Sequence, residues 1–288
     1  LAEHLGLSQA TVSRGLNGFP EVNEKTRKRI REAARQLGYQ PNLNAQRLAT
    51  GRANSVGFVF RTDRNIFVDA HFTEFLAGMA NRLSVEGIDL TFAATSSDDE
   101  HKVYERFART RRVDVLIVSS PTVSDERIQL LQGLSMPFVV HGRCSDKNDF
   151  HFYDIDNRGG FELATNHLIG LDHTLIGLIN GDRLQNFAME RETGYRNALQ
   201  EAGLATYPHL MSNSQMSERH GYESVLRMLS SDQPPTALLC SSPLLAAGAA
   251  RAVEHSGLIL GKDIAMVAHD DMLPVQVTEQ MDVPLTVI

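Results

Sequence analysis

From Ser55 onward the chain alternates short apolar segments with amphipathic stretches at helical spacing. The predicted strands are residues 55–60, 88–95, 113–120, 137–142, 151–155, 174–179, 237–240 and 264–268. The predicted helices are residues 72–85, 100–111, 125–131, 159–168, 192–201, 218–229 and 244–255. Nearly continuous apolar strands that alternate with helices are typical of parallel sheets covered by helices on both faces. This part of the chain is therefore predicted to be α/β.

Roughly 230 residues of this pattern is a great deal for one sheet and one core. We therefore expect two Rossmann-like lobes, residues 55–156 and 157–284, with the boundary near Asp156. Residues 285–288 are predicted to begin a crossover back to the first lobe. No uninterrupted run of about 18 apolar residues exists, which argues against a transmembrane helix.

Residues 1–38 have a different pattern, which predicts a small all-α domain. Ser8 is a good N-cap, and the Asn17-Gly18 pair tolerates the left-handed backbone that ends a helix. Val12 and Leu16 lie four residues apart and form a narrow apolar stripe for a partner helix. A preceding helix end closed by a glycine completes a helix-turn-helix pattern, whose second helix enters the major groove of DNA.

The other face of this second helix is short and polar. Arg14 and Gln9 can make bidentate hydrogen bonds to guanine or adenine edges, and Ala10 and Ser13 lie beside them. The alternative interpretation is a small amphipathic hairpin without a ligand.

A basic third helix follows and makes the charge distribution uneven. Asn23 is predicted to cap a helix over residues 24–37, with Gly38 after it. Residues 1–52 carry nine Lys and Arg against four Glu, a net charge of +5, whereas the whole chain carries −7 and the remainder therefore −12. A basic head on an acidic body predicts phosphate binding at one end only.

Residues 39–54 are predicted to be a hinge or linker. Pro41 ends the third helix, Asn42 can cap a new turn, and helix-forming residues continue to Thr50. About eight residues cannot form a stable helix alone in water, because helix nucleation is unfavourable. We expect this segment to order only when something pairs with it.

These motifs resemble those of the lac repressor (LacI/GalR) family of transcriptional regulators. The matching positions are Ser8-Gln9-Ala10-Thr11-Val12-Ser13-Arg14, Asn17-Gly18, Val22, Thr26-Arg27, Leu37-Gly38-Tyr39, Pro41-Asn42 and Leu48-Ala49-Thr50-Gly51-Arg52. The resemblance implies a helix-turn-helix head on a two-lobed core like that of periplasmic sugar-binding proteins. It also implies that residues are missing at both ends of this chain. The DNA-binding residues that it implies are Ser8, Gln9, Ala10, Thr11, Ser13, Arg14, Asn17 and Leu48, with Leu48 wedged between base steps of the minor groove.

Polar residues collect after the predicted strands, where open α/β sheets bind their ligands. They include Arg61, Ser119-Ser120, Gly142-Arg143, Gly181-Asp182, Ser241-Ser242 and His269-Asp270-Asp271, and carboxylates and guanidinium groups suit sugar hydroxyls. The effector-binding residues that the resemblance implies are His71, Phe72, Asp156, Phe187, Arg191, Met216, Ser242 and Asp270. Relatives usually carry Asn-Asp where this chain has Ser242-Pro243. Pro243 removes a carboxylate and a backbone donor, which bears on the identity of the ligand more than on the presence of a pocket. The alternative is that Pro243 simply starts the helix at its first position, where proline is well tolerated. This set of predicted effector-binding residues resembles the corresponding set in regulators of disaccharide or α-glucoside use.

The sequence therefore predicts a cytoplasmic, homodimeric, DNA-binding repressor with a sugar-like effector, and neither an enzyme nor a metal- or cofactor-dependent protein. Cys144 and Cys240 show no paired spacing, which fits reduced thiols in the cytosol. No catalytic motif or convincing zinc spacing occurs. A solute-binding protein of transport is the first alternative, against which the basic head and the lack of a signal-peptide pattern count. An enzyme that uses the cleft is the second, and turnover assays on glycosides would expose it.

Overall fold

The computed structural model describes residues 1–39, 50–62, 70–144, 149–270 and 285–288. The chain divides into two compact units, Leu1–Ala53 and Asn54–Ile288. The predicted hinge residues 40–49, including Leu48, lie outside the described residues.

The first unit contains three helices, α1 (Ala2–Leu5), α2 (Gln9–Leu16) and α3 (Glu24–Gln36). The predicted caps are present. The Ser8 hydroxyl accepts a hydrogen bond from the Thr11 amide at 3.1 Å, and the Asn23 side chain accepts one from the Thr26 amide at 2.9 Å. Because each cap satisfies an amide that the helix itself leaves unpaired, both helices begin where the sequence predicted.

A small apolar core holds these helices together. Its buried members are Leu5, Val12, Val22, Ile30 and Ala33. Helices α2 and α3 approach closely at Gly15, where an added Cβ would lie only 2.5 Å from the Ile30 side chain. The glycine therefore lets the two helices pack together.

The second unit contains two parallel sheets, as predicted. The strands of the first sheet are β1 (Ser55–Arg61), β2 (Asp89–Thr95), β3 (Val115–Ser119), β4 (Phe138–His141) and β5 (Phe152–Tyr153), in the order β2-β1-β3-β4-β5. The strands of the second are β6 (Ile176–Asn180), β7 (Met211–Asn213), β8 (Ala237–Cys240), β9 (Ala265–Ala268) and β10 (Thr286–Val287), in the order β10-β9-β8-β6-β7. Each sheet with its flanking helices is called a lobe below.

Helices connect the strands in both lobes. Those of the first lobe are α4 (Ala70–Val85), α5 (Glu100–Thr110) and α6 (Glu126–Gly133). Those of the second are α7 (Asn157–Ile169), α8 (Asn186–Glu201), α9 (Glu218–Leu229) and α10 (Pro243–His255). Each lobe buries apolar residues between its helices and sheet, among them Tyr104 and Leu116 in the first and Phe161 and Leu178 in the second.

Most predicted elements are present with boundaries shifted by one or two residues, and three differences are larger. Helix α8 begins at Asn186, six residues before the predicted start, because its first two turns bury Ala188 and Arg191 as well as the apolar residues that follow. Strand β7 was not predicted, since three residues at a sheet edge leave too short a pattern. Strand β10 pairs with β9, so Thr286 and Val287, predicted to begin a crossover, belong to the second sheet.

No helix within the described ranges is both long and apolar enough to cross a membrane.

Candidate functional site

The polar face of α2 lies open to solvent. Gln9, Ala10, Ser13 and Arg14 are all exposed. The other predicted DNA-contacting residues of this helix hold its ends: the Ser8 and Thr11 hydroxyls lie 2.9 Å apart, and the Asn17 side chain donates to the Ser13 carbonyl at 2.9 Å. The helix thus presents a short polar surface on a capped, packed frame.

The basic residues of α3 fall into two groups. Arg27 donates to the Val22 carbonyl at 2.8 Å, and Arg29 donates to the Leu5 carbonyl at 2.9 Å. These two arginines therefore tie the head together. The others are exposed and can face phosphate: Lys25, Lys28, Arg31 and Arg35.

In the second unit, a cleft of about 640 Å³ lies between the two lobes at the carboxyl ends of their strands. The first lobe lines it with Phe58, Val59, Phe60, Arg61, Phe72, Glu100, Ser119, Ser120, Thr122, Ser124, Asp125, Glu126 and Arg127. The second lobe lines it with Asp182, Gln185, Phe187, Gln215, Met216 and Leu244. The volume is that of a small-molecule site.

Three of the predicted effector-binding residues line this cleft. Phe72 lies on the first lobe, and Phe187 and Met216 lie on the second. Phe72 packs against Phe58 with ring centroids 5.5 Å apart, and both rings are buried in this wall of the first lobe. Of the polar strand ends, Arg61, Ser119, Ser120 and Asp182 line the cleft as well.

Arg191 is buried behind this lining. Its guanidinium carbon lies 5.0 Å from the centre of the Phe187 ring and 5.1 Å from that of Phe161. Its Nε donates to the Asn157 amide oxygen at 2.7 Å, and its Nη1 donates to the Ser241 carbonyl at 2.7 Å. The arginine therefore supports the cleft-lining Phe187 from behind and joins α7, α8 and the end of β8.

Asp156 and Ser242 cap helices. The Asp156 carboxylate accepts from the Gly159 amide at 2.9 Å at the start of α7, and the Ser242 hydroxyl accepts from the Leu245 amide at 3.3 Å at the start of α10. Pro243 takes the first helical position, which suits proline because no amide is needed there. Neither cap is among the residues that line the cleft.

Asp270 follows β9 with a φ of +72°, a left-handed backbone that side chains other than glycine, asparagine and aspartate rarely adopt. Its amide donates to the Ile288 carbonyl at 3.1 Å. It does not line the described part of the cleft wall. The His71 side chain lies outside the described part of the chain.

The sequence reasoning missed a buried charged cluster on the first lobe. Arg127 binds Asp125 with two hydrogen bonds, from Nε at 2.9 Å and Nη2 at 2.6 Å, and its Nη1 lies 3.3 Å from Glu100. The Asp125 side chain is only 2% exposed. Burial alone raises the pKa of Asp125, but hydrogen bonds and charge from Arg127 outweigh it and hold that pKa below its usual value. The sequence analysis predicted only that a helix starts at Asp125, which does not indicate a charged wall of the cleft.

A second ionic group supports the opposite wall. Glu192 is buried on α8 and accepts from Arg183 at 2.9 Å and from Arg196 at 2.8 Å. Arg183 belongs to the loop that carries Asp182 and Gln185 into the cleft. The carboxylate therefore anchors that loop to the helix.

No group of three or more His, Cys, Asp or Glu side chains suited to a metal ion occurs among the residues that the structure describes.

A helix-turn-helix head joined to two parallel α/β lobes with a cleft between them defines a class of ligand-responsive DNA-binding regulators. Comparison with protein families agrees. Residues 1–42 match the model for bacterial regulatory proteins of the lacI family, and residues 53–288 match that for periplasmic binding proteins and the sugar binding domain of the LacI family. The chain belongs to the LacI family and is a DNA-binding transcriptional regulator.

Individual relatives cover nearly the whole chain. The HTH-type transcriptional regulator AglR of Rhizobium meliloti is 46% identical over 99% of this chain and 81% of its own length. The HTH-type transcriptional regulator RafR of Escherichia coli is 34% identical over 98% of this chain and 84% of its own. These relatives are regulators and not enzymes, and the same holds for this chain.

Solved structures show the same fold. The lac repressor dimer bound to operator and the anti-inducer ONPF is 26% identical, with a TM-score of 0.83 over 99% of this chain and 85% of that one. The complex of the transcriptional regulator CelR with cellobiose is 29% identical, with a TM-score of 0.74 over 99% of this chain and 85% of that one.

Proposed function

We propose that this regulator is a cytoplasmic, homodimeric repressor whose affinity for operator DNA is controlled by a neutral sugar bound between its two lobes. The observation that carries this proposal is the cleft itself, with aromatic rings and hydrogen-bonding side chains on facing lobes of a chain that also carries a DNA-reading head. The basic head argues against a solute-binding protein without a regulatory role.

In the head, we assign base recognition to the exposed face of α2. Arg14 and Gln9 have the side chains for bidentate contacts to base edges, and Ala10 and Ser13 supply close apolar and hydroxyl contacts beside them. Ser8, Thr11 and Asn17 keep the helix ends in place and lie near the phosphates that flank such contacts. Leu48, within the proposed hinge at 39–54, would wedge into the minor groove.

A homodimer follows from the small size of this reading surface. One short helix contacts few base pairs, and paired helix-turn-helix units gain specificity by reading two half-sites. The lac repressor was solved as a dimer on its operator, which supports the same arrangement for this chain.

The chemistry of the cleft favours a neutral polyhydroxy ligand. Phe72 and Phe187 line the cleft with apolar side chains that suit the faces of sugar rings, and Asp182, Gln185 and Gln215 offer hydrogen bonds for hydroxyl groups. The resemblance of the predicted site residues to those of regulators of disaccharide or α-glucoside use points to an α-glucoside or a related disaccharide.

The charges of the cleft disfavour an anionic ligand such as a sugar phosphate. Among the described lining residues, four are acidic (Glu100, Asp125, Glu126 and Asp182) and two are basic (Arg61 and Arg127). Arg127 is already bound by Asp125 and Glu100. A phosphate would therefore meet more negative charge than positive charge in this part of the wall.

We assign direct effector contact to Phe72, Phe187 and Met216. Arg191 supports Phe187 from behind, and Asp156 and Ser242 shape the ends of α7 and α10. Asp270 and His71 complete the proposed set on the strength of their family positions. Asp270→Asn tests the carboxylate cleanly, because asparagine also tolerates a left-handed backbone.

Thermal melting with maltose, trehalose, sucrose and trehalose 6-phosphate tests the ligand. A sugar at about one hundred times its Kd should stabilise the protein by about 2.7 kcal/mol. Phe187→Ala should abolish the rise in melting temperature that the sugar causes. Leu163→Ala, a substitution at an exposed position of α7, should retain that rise. A larger shift with trehalose 6-phosphate than with every neutral sugar would contradict the proposed ligand class.

Operator binding tests the head. Arg14→Ala should cost about 1–3 kcal/mol on operator and relax base preference at one position of each half-site. Lys28→Ala, at an exposed position of α3, should weaken binding to all DNA sequences alike and make that binding less dependent on salt concentration. An equal loss on operator and random DNA for Arg14→Ala would remove that residue as a base reader. Arg29 is a poor phosphate probe, because its removal also breaks the contact with Leu5.

A further inference from the structure

The two lobes touch through backbone hydrogen bonds at the rim of the cleft. The Val123 amide of the first lobe donates to the Leu184 carbonyl of the second at 3.2 Å, and the Asn186 amide donates back to the Pro121 carbonyl at 3.1 Å. Thr122 and Gln185 face each other between these bonds as an antiparallel bridge pair. Residues 121–123 and 184–186 are called the latch below.

The first-lobe half of the latch is held in place by its own lobe. Asp125 accepts from the Thr122 amide at 3.0 Å, and Arg127 donates to the Ser119 and Ser120 carbonyls at 3.3 and 3.4 Å. Ser120 has a φ of +49°, a strained backbone that turns the chain out of β3 directly before the latch. The buried charged cluster therefore fixes the loop in a conformation that a free chain would rarely adopt.

The second-lobe half is held as firmly. Asp182 accepts from the Leu184 amide at 3.0 Å, and Arg183 is bound to the buried Glu192. Asn186 is the first residue of α8, so the latch ends directly on a helix. Both halves are thus presented to each other by rigid elements of their own lobes.

The position of the latch gives it a specific consequence. Thr122 and Gln185, its central pair, both line the cleft. Any widening of the cleft at this rim must break the two backbone hydrogen bonds. We propose that the latch is a closure element, which holds the two lobes together over the cleft and sets the balance between a closed and an open core.

Asn186→Pro is the sharpest test, because Asn186 is the first helical position of α8, where proline is well tolerated. The residue before it, Gln185, has φ −86° and ψ 134°, which a following proline also allows. The substitution removes the amide that bonds to Pro121. Asn186→Ala is the matched control, since it removes the same side chain and keeps the amide. Val123→Pro and Val123→Ala form a second pair on the other lobe, in which proline removes the amide that bonds to Leu184.

Double electron–electron resonance measures the distance between the lobes in the full chain. The two spin labels are attached at Glu105→Cys in α5 and Glu201→Cys in α8. Cys144→Ser provides the background, and dilution with unlabelled protein suppresses signals between copies. Each proline variant should raise the ratio of open to closed core about threefold to tenfold, the range expected for one hydrogen bond, and each alanine variant should match the parent.

Two results would overturn the proposal: proline variants that match the parent, or alanine variants that open the core as much as the proline variants do. A proline variant that fails to fold is replaced by the pair on the other lobe. The measurement uses neither DNA nor sugar, so its outcome is independent of the proposed repressor function.

Discussion

Each lobe holds an arginine at or behind the wall of the cleft, Arg127 half-buried and Arg191 buried, and the two are held in different ways. Arg127 of the first lobe is bound by two carboxylates, Asp125 and Glu100. Arg191 of the second lobe donates to an amide oxygen and a backbone carbonyl and lies against two phenylalanine rings. The contrast teaches that burial of a charge does not reveal its role. Arg127 neutralises buried carboxylates and fixes a loop, whereas Arg191 supports a ring that lines the cleft.

Loss of Arg127 should have the largest effect on stability. Arg127→Ala leaves Asp125 and Glu100 buried without their cation, which costs about 3–5 kcal/mol when a buried ion pair is broken. Urea unfolding followed by circular dichroism measures the change, and Arg127→Lys should recover part of it. A loss below about 1 kcal/mol would show that water enters the cluster and would erase the contrast with Arg191.

Loss of Arg191 should affect stability less and ligand response more. Arg191→Ala leaves neutral acceptors unpaired, at a cost of about 1–3 kcal/mol, and it removes the support of Phe187. We expect the sugar response of operator binding to disappear, while operator binding without sugar stays within a few-fold of the parent. Titration of operator with and without the sugar identified by thermal melting measures both. A parental response in this variant would place the ligand away from Phe187.

The loss of folding stability at acid pH should depend on Asp125, in the first lobe. The pKa of Asp125 is lower in the folded protein than its ordinary value of 3.8, so its contribution is full above that value. The contribution is lost as the pH falls through 3.8 towards the folded pKa. Asp125→Asn should therefore be less stable at neutral pH and should change less between pH 4 and pH 2. Parallel stability profiles for variant and parent over this range would contradict the assignment.

The smallest effect is expected at His220 in the second lobe. Burial lowers its pKa below 6.5, the charge of Arg227 lowers it further, and Glu223 opposes this shift. The neutral ring is therefore favoured in the fold, and its contribution to stability falls as the pH drops below 6.5. His220→Gln should flatten the stability profile between pH 7 and pH 5. If the stability of the variant depends on pH as steeply as that of the parent, a group other than His220 causes this pH dependence.

The local patterns of the sequence predicted the local structure. Ser8 and Asn23 cap the helices that they were expected to cap, and Pro243 occupies the first position of α10. The predicted parallel sheets of both lobes are confirmed, because a buried strand needs only a few consecutive apolar residues to be recognised. The family motifs likewise predicted the class of protein, since its head is encoded within about fifty consecutive residues.

The tertiary structure alone decided how the wall of the cleft is composed. The packing of α5, α6 and the end of β3 brings together Glu100, Asp125 and Arg127. The spacing of these residues along the chain does not predict that contact. The latch joins residues about sixty positions apart through backbone atoms, which carry no signature of their own in the sequence. Short-range patterns report caps, strands and helices, because these depend on neighbours in the chain. Contacts between lobes depend on the packing of whole layers, and only the folded structure contains them.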